Sequence, residues 1–362
     1  MPVSYEPLNV NTDVTNTKTI LHEVIPLTGT IVSGTYSDEN IKNYTHGMFQ
    51  SVYDYPYLSS SANHIFDISV AYDESSTLSA SSNVQNNKKI NMYNQFAQVL
   101  LGYTGSNNTV RLFENDLLLD NVGVMKNVFV VSFSRLLTKD QVKKGTFSLE
   151  LGRGAWPTAH STTITLQDVK ASTSGDGTLS TIGGDYGVLY DSTASATNAA
   201  NTSSYGVIFY QAGIAILSSS IFDNANVAGY GQFSSGSYLS GAAGNVTTLG
   251  CTASIATSSI SGTCDALRHR ITNLTFNNST EINSTIYFCR LPVNKFNYSS
   301  NPTYTSGSKI RVKDNASDLP VAYASTVGLY NAQNELLAVA KLSEPLKKTP
   351  QNELTIRVRL DY

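Results

Sequence analysis

The sequence predicts a mainly β protein, built as a sandwich or barrel of antiparallel sheets with a few short helices, notably at 88–101 and 262–274. Three observations carry this expectation. Charged residues are only 14% of the 362, while 21 Tyr and 13 Phe accompany abundant Ser, Thr, Asn and Gly, which is the composition of strands and turns. Short apolar stretches alternate with period 2 and are separated by Gly, Pro and Asn. The chain also ends in its strictest alternation, with Leu354, Ile356, Val358, Leu360 and Tyr362 set against Glu353, Thr355, Arg357, Arg359 and Asp361.

Residues 1–57 alternate weakly and are broken by Pro2, Pro7, Pro26 and Pro56, so they read as an extended N-terminal arm of the kind that lies on a neighbouring subunit. Tyr44, Phe49, Tyr53, Tyr55 and Tyr57 crowd its last part. Core-and-rim packing is the expected use of these rings. An interaction surface, for a subunit or a sugar, is the alternative, since tyrosine offers a large rigid face and one hydroxyl.

Residues 58–154 form a β-rich segment with one buried helix. HIFDISVAY (His64 to Tyr72) is a half-buried strand, and Lys88 to Leu101 carries two apolar rows, Ile90, Tyr93, Ala97, Leu100 and Leu101 beside Met92, Phe96 and Val99. Lys88 and Lys89, at the positive end of the helix dipole, are expected on the surface, or else against an acidic neighbour. NVFVVSF (Asn127 to Phe133) reads as a strand covered on both faces. Thr138 and Gln141 suggest a capping box opening a helical turn that Gly145 ends, before TFSLELG returns as a strand.

Residues 155–260 are a Ser/Gly/Thr-rich β segment or insertion containing six charged residues up to Gly262. TTITL, YGVLY and VIFYQAGIAIL are its strands, with Gln211-Ala212-Gly213 as a tight turn, and the stretch from Ala225 to Ile260 is expected to be loop. In 261–362, Ser261 caps a short helix with Leu267, Ile271 and Leu274 in its apolar row, and STIYFCRL is a strand. A hairpin comes next: Val321, Tyr323, Val327 and Leu329 share a face, Asn331 to Asn334 make the turn, and Leu337 and Val339 alternate with Ala338 and Ala340. Ser343 to Asn352 reads as a polar loop leading to the terminal strand.

The motif VGLYNAQNELLAVAKLSEP resembles hairpins of virion proteins of tailed bacteriophages, especially those of the tail, baseplate and fibre-attachment region. The matching residues are Gly328, Leu329, Tyr330, Asn334, Leu336, Leu337, Ala338 and Val339. Tyr205 to Phe222 resembles strand-turn-strand pieces of the same class. The resemblance implies a structural component of the virion, in the tail, baseplate, neck or fibre-attachment region, assembled in the bacterial cytoplasm. Its partners would be copies of itself and other virion proteins. A receptor- or polysaccharide-binding module, recognising a host surface glycan, or a capsid-decorating protein is the alternative.

Chemistry is sparse. His22, His46, His64, His160 and His269 have no HxxxH or HExxH spacing, and Cys251, Cys264 and Cys289 have no CxxC, so no metal site is expected. The glycine-rich stretches lack both the P-loop Lys-Ser/Thr and the dinucleotide fingerprint, and Gly231 to Gly236 departs by one residue from a nucleophile elbow; no catalytic residue and no cofactor is expected. Asp176 and Asp191 read as turn caps rather than calcium ligands. A net charge of −3 argues against nucleic acid or an anionic membrane as partner. The first residues lack a signal-peptide pattern and no run of 18 apolar residues occurs, so neither secretion by a leader nor a membrane-spanning helix is expected, and the N-x-S/T triplets imply no glycan. With an odd number of cysteines, free thiols are expected.

Overall fold

A computed structural model describes residues 5–26, 40–104, 109–154, 162–172, 177–192, 203–223, 233–235, 248–299, 304–307, 309–310, 315 and 317–362. The protein is mainly β, with sandwich-like antiparallel sheets and short helices. In chain order the strands begin with β1 (Val14–Pro26), β2 (Ile41–Asn43), β3 (Gln50–Tyr53), β4 (His64–Tyr72), β5 (Asn127–Phe133), β6 (Gln141–Val142), β7 (Ser148–Arg153), β8 (Thr162–Gln167), β9 (Thr178–Thr181) and β10 (Gly184–Asp191). They continue with β11 (Ser204–Phe209), β12 (Ile214–Ser218), β13 (Ser234–Ser235), β14 (Thr248–Leu249), β15 (Ile271–Leu291), β16 (Thr305–Ser306), β17 (Lys309–Ile310), β18 (Ala322–Tyr330), β19 (Leu336–Lys348) and β20 (Leu354–Asp361). The helices are α1 (Asn86–Leu100), α2 (Arg135–Thr138), α3 (Cys251–Thr257) and α4 (Ile260–Arg268).

The chain divides into two compact units, one of His22–Thr280 and one of Met1–Leu21 with Glu281–Tyr362. The composition boundaries at 57, 154 and 260 fall inside the first of these.

In the His22–Thr280 unit the strands lie in the order β15, β7, β8, β10, β11, β12, β5, β4, β3, β2. The Ser/Gly/Thr-rich stretch thus supplies β8 and β10 to β12, between β7 and β5. Both faces of this sheet are covered. On one, Phe66, Ile68 and Val70 of β4 and Phe129, Val131 and Phe133 of β5 share a core with Leu149, Leu151, Ile164, Leu166, Ile271 and Phe276, the last with its ring 5.3 Å from that of Phe133. On the other, Val128, Val130, Val207, Phe209 and Ile216 pack under Met92, Tyr93, Ala97 and Leu100 of α1. NVFVVSF is therefore covered on both sides, as its unbroken apolarity predicts. β4, expected to be half-buried, is covered on both sides too: Ser69 is buried and its hydroxyl donates to the Met48 carbonyl at 2.7 Å, which removes the cost of hiding it. The turn at Gln211 to Gly213 forms as expected, with Gly213 at φ +66°.

Several expectations are corrected. Helix α1 keeps its core row, but Val99 is exposed. Lys89 is not at the surface. It is fully buried, and its ammonium donates to the carbonyls of Val84 (2.7 Å), Ile255 (2.6 Å) and Ser258 (2.9 Å), thereby neutralising the negative end of α3. Burial pulls its pKa down to about 8. Lys88 meets a carbonyl, that of His46 at 2.6 Å. Thr138 ends α2 rather than opening a helix, and Gln141 lies in β6. Ala225 to Ile260 is not all loop, since α3 forms within it; parts of that stretch lie outside the described residues.

The second expected helix, 262–274, instead runs Ile260–Arg268. Its N-cap is Ser259, whose hydroxyl accepts from the Gly262 N–H at 3.1 Å, and Ile271 and Leu274 already belong to β15. Arg270, at this junction, is buried against the rings of Phe222 and Phe233, and its guanidinium donates to the carbonyls of Phe233, Gly152 and Gly154. The helix stops there because the buried arginine ties the next residues to β7. STIYFCRL is the second half of a 21-residue strand.

In the other unit, β15 is flanked by β1 and by β20, which pairs antiparallel from Ser284 with Asp361 to Leu291 with Leu354. Part of the segment read as an extended arm pairs here: Asp13 meets Arg290 at 2.8 Å and Lys18 meets Glu281 at 2.8 Å. Residues 27–39 lie outside the described residues. The terminal alternation holds from Leu354 to Leu360, with Ile356 and Val358 buried and Arg357 and Arg359 exposed. Tyr362, assigned to the apolar face, is exposed. β19 continues to Lys348, so the loop expected from Ser343 is strand through Lys348.

Candidate interaction surface

β18 and β19 pair into a two-stranded ribbon. The Asn331 carboxamide oxygen accepts the N–H groups of Gln333 (3.0 Å) and Glu335 (2.8 Å), and Asn334 takes φ +63°, a conformation asparagine tolerates better than most residues. The inner face of the ribbon, with Ala324, Val327, Leu329, Ala340 and Leu342, packs on Leu291, Ile356 and Val358.

The sense of the alternation reverses what periodicity suggests. Leu337 and Val339 point outward, 69% and 59% exposed, and Ala338 and Ala340 point inward; on β18 Tyr323 is outward and Val327 inward. Bulges cause this. Between Ala324 and Thr326 the pairing jumps from Leu346 to Lys341, so the inward residues of β18 pass from Ala324 to Val327 and Leu329, and between Leu329 and Tyr330 the extra residue Leu337 leaves both Leu336 and Leu337 outward. The outer face is thus apolar as well, formed by Tyr323, Tyr330, Leu336, Leu337 and Val339, with the Tyr5 ring edge-on to Tyr330 at 5.0 Å. Gly328 makes room for it: a Cβ there would stand 2.9 Å from the Tyr330 ring and 3.2 Å from the Leu336 side chain.

The tyrosine-rich stretch lies around β2, β3 and β4 of the other unit. Tyr44, His46 and Phe49 form a three-ring cluster with centroids 4.9 to 5.0 Å apart, and the Lys42 ammonium stands 5.0 Å from the Tyr44 ring. Ser51 donates to Asp67 at 2.5 Å and accepts from the Tyr44 hydroxyl at 3.2 Å, and Asp67 also meets His64 at 2.8 Å. Tyr53 packs between Tyr57 and His64, and its burial raises its hydroxyl pKa. Tyr55 and Tyr57 are exposed.

Sequence reasoning missed one group. Carboxylate oxygens of Glu114, Asp116 and Asp120 lie within 4.8 Å of one another, a donor type that suits hard cations. Backbone N–H groups already use them: Glu114 accepts from Asp120 (2.9 Å) and Asn121 (3.0 Å), Asp116 from Leu118 (3.0 Å) and Asp120 from Val122 (2.9 Å). Burial raises the Glu114 pKa. The arrangement holds a tight loop closed by the Asn115 N–H on the Gly123 carbonyl at 3.1 Å. Asp191, read as a turn cap, ends β10 with its side chain buried, and Asp176 lies outside the described residues. Of the cysteines, Cys251 and Cys264 are free and buried, while Cys289 is free and half-buried.

No protein-family model, curated protein or solved structure matches this chain.

Proposed function

We propose that the protein is a structural component of a tailed-bacteriophage virion, in the tail, baseplate, neck or fibre-attachment region. It is assembled in the bacterial cytoplasm and acts by symmetric self-association and by docking other virion proteins, without catalytic chemistry. One observation carries this reading: a ribbon apolar on both faces of which its own unit covers one. Covering a second apolar face is what assembly does. The likeness of this hairpin to tailed-phage virion proteins and the low charge of the chain support the same reading.

A second reading, a module that binds a host receptor or polysaccharide, is favoured by the Tyr44, His46 and Phe49 cluster with Lys42 beside it and by the exposed Tyr55 and Tyr57. Mass measurement of the purified protein, with antibody labelling of phage particles, tests the first reading. Oligomers and labelled virions are expected. A strict monomer absent from virions overturns it, and saturable binding to host polysaccharide that Tyr44→Ala abolishes would favour the second.

A further inference from the structure

We infer that the ring cluster around Tyr44 binds a carboxylated polysaccharide, one whose sugar units carry uronic-acid groups. The inference rests on the polysaccharide reading and names the chemical class of its ligand. Two ammonium groups flank the rings. That of Lys42 stands 5.0 Å from the centre of the Tyr44 ring, and that of Lys88 donates to the His46 carbonyl at 2.6 Å. Among the described residues neither meets a carboxylate, whereas Lys18, Lys144 and Lys295 each do. Two unneutralised cations beside one ring cluster, on a chain whose net charge is −3, make a local field that suits an anion.

The rings are already held in place. Tyr44 and His46 stack with an interplanar angle of 10°, and the Met48 N–H donates to His46 Nδ1 at 3.1 Å, so the neutral imidazole carries its proton on Nε2, as a donor. The Tyr44 hydroxyl is fixed by Ser51, whose other partner, the Asp67 carboxylate, is also occupied by His64. A carboxylated sugar uses the whole set: its carboxylate meets the ammonium groups and the imidazole N–H, and the apolar face of its ring lies against His46 and Phe49. A neutral sugar would leave both cations without a counter-charge. Nucleic acid is disfavoured, because two cations displace few counterions and the chain as a whole repels a polyanion of that charge density.

Biolayer interferometry of the full-length protein tests the inference, on immobilised polygalacturonate and on the same polymer with its carboxyl groups reduced to alcohols. Far-UV circular dichroism and the melting temperature serve as folding controls. The expected result is saturable binding to polygalacturonate that weakens as salt is raised and falls about tenfold or more on carboxyl reduction. Lys42→Gln and Lys88→Gln should each weaken it about fivefold without moving the melting temperature, and Lys42→Arg should retain it. Equal binding to both polymers, untouched by the two glutamine variants, would overturn the carboxylate as the group recognised and leave the polysaccharide reading standing. Binding to neither polymer would overturn the inference alone, since the reading beneath it is judged on host polysaccharide. Duplex DNA that competes as well as free polygalacturonate at about 150 mM salt would assign the lysines to phosphate and overturn a sugar as the ligand.

Discussion

Replacing Ile356 tests the organisation of the terminal strand. Its side chain is 7% exposed, on the β20 face that meets Leu291, Val358 and the inner face of the ribbon, while Arg357 next to it is exposed. Several neighbours in this core are themselves only half-buried, so the site can partly collapse around a smaller residue, and Ile356→Ala should cost about 2–3 kcal/mol, the lower part of the range for such truncations. Ile356→Asp loses the same apolar contacts and sets a carboxylate among the apolar side chains of Leu291, Val358 and Val327, which takes the cost to about 5 kcal/mol or more. That equals the lower limit of ordinary net stability, about 5–15 kcal/mol, so the variant should be insoluble or unfolded at 37 °C. Arg357→Ala should cost about 0.5 kcal/mol or less unless another subunit covers that face. Urea unfolding followed by far-UV circular dichroism, with the slope checked for constancy, gives these values. A soluble Ile356→Asp protein with the wild-type midpoint, beside an Arg357→Ala protein that is destabilised, would show that the faces of β20 are reversed.

Lys89→Met removes the ammonium that serves three carbonyls, the one of Ile255 buried and those of Val84 and Ser258 partly so, and should cost about 2–3 kcal/mol near neutral pH in urea unfolding; a neutral result would mean that those carbonyls find other partners. The same pair of proteins has a pH signature. Burial lowers the folded pKa of Lys89 from 10.5 to about 8, so between these values the unfolded chain binds the proton and the folded chain does not. The contribution of this group to stability therefore rises with pH across that window, and the advantage of the wild type over Lys89→Met should grow by up to about 3 kcal/mol; an advantage that shrinks would refute the burial of the charge. Cys251 and Cys264 are buried and burial raises the pKa of both, so a disulfide-exchange reagent should modify at most Cys289 in the folded protein, and reductant should leave the melting temperature unchanged. Rapid modification of all three thiols would contradict this. Deleting Leu354 to Tyr362 removes two buried and two half-buried apolar side chains and leaves the β15 backbone from Ser284 to Leu291 without its partner, so the protein should be insoluble on expression.

Much of the strand arrangement was legible. The alternation from Leu354 to Leu360, the unbroken apolarity of Asn127 to Phe133 and the turn ending at Gly213 are local signals, since period, continuity and a positive φ are properties of neighbouring residues. The expectation for the candidate surface was different. The rings from Tyr44 to Tyr57 were legible as an aromatic cluster, but the ribbon face passed for core, because an apolar residue at a bulge looks the same in sequence whether the inserted residue turns it inward or outward.

The sequence by itself determined the β class, the short helix α1 with its core row, the terminal strand and its faces, because each depends on repeating side-chain chemistry within a few residues. Only the tertiary structure decided which side of LLAVA is covered, where α4 gives way to β15, and that Lys89 is buried. That lysine is held by the carbonyl of Ile255, 166 residues away, and the helix ends where Arg270 reaches Gly152 in another strand. Contacts across such distances are set by which strands pair, and strand pairing is a property of the whole chain, invisible to the spacing of residues along it.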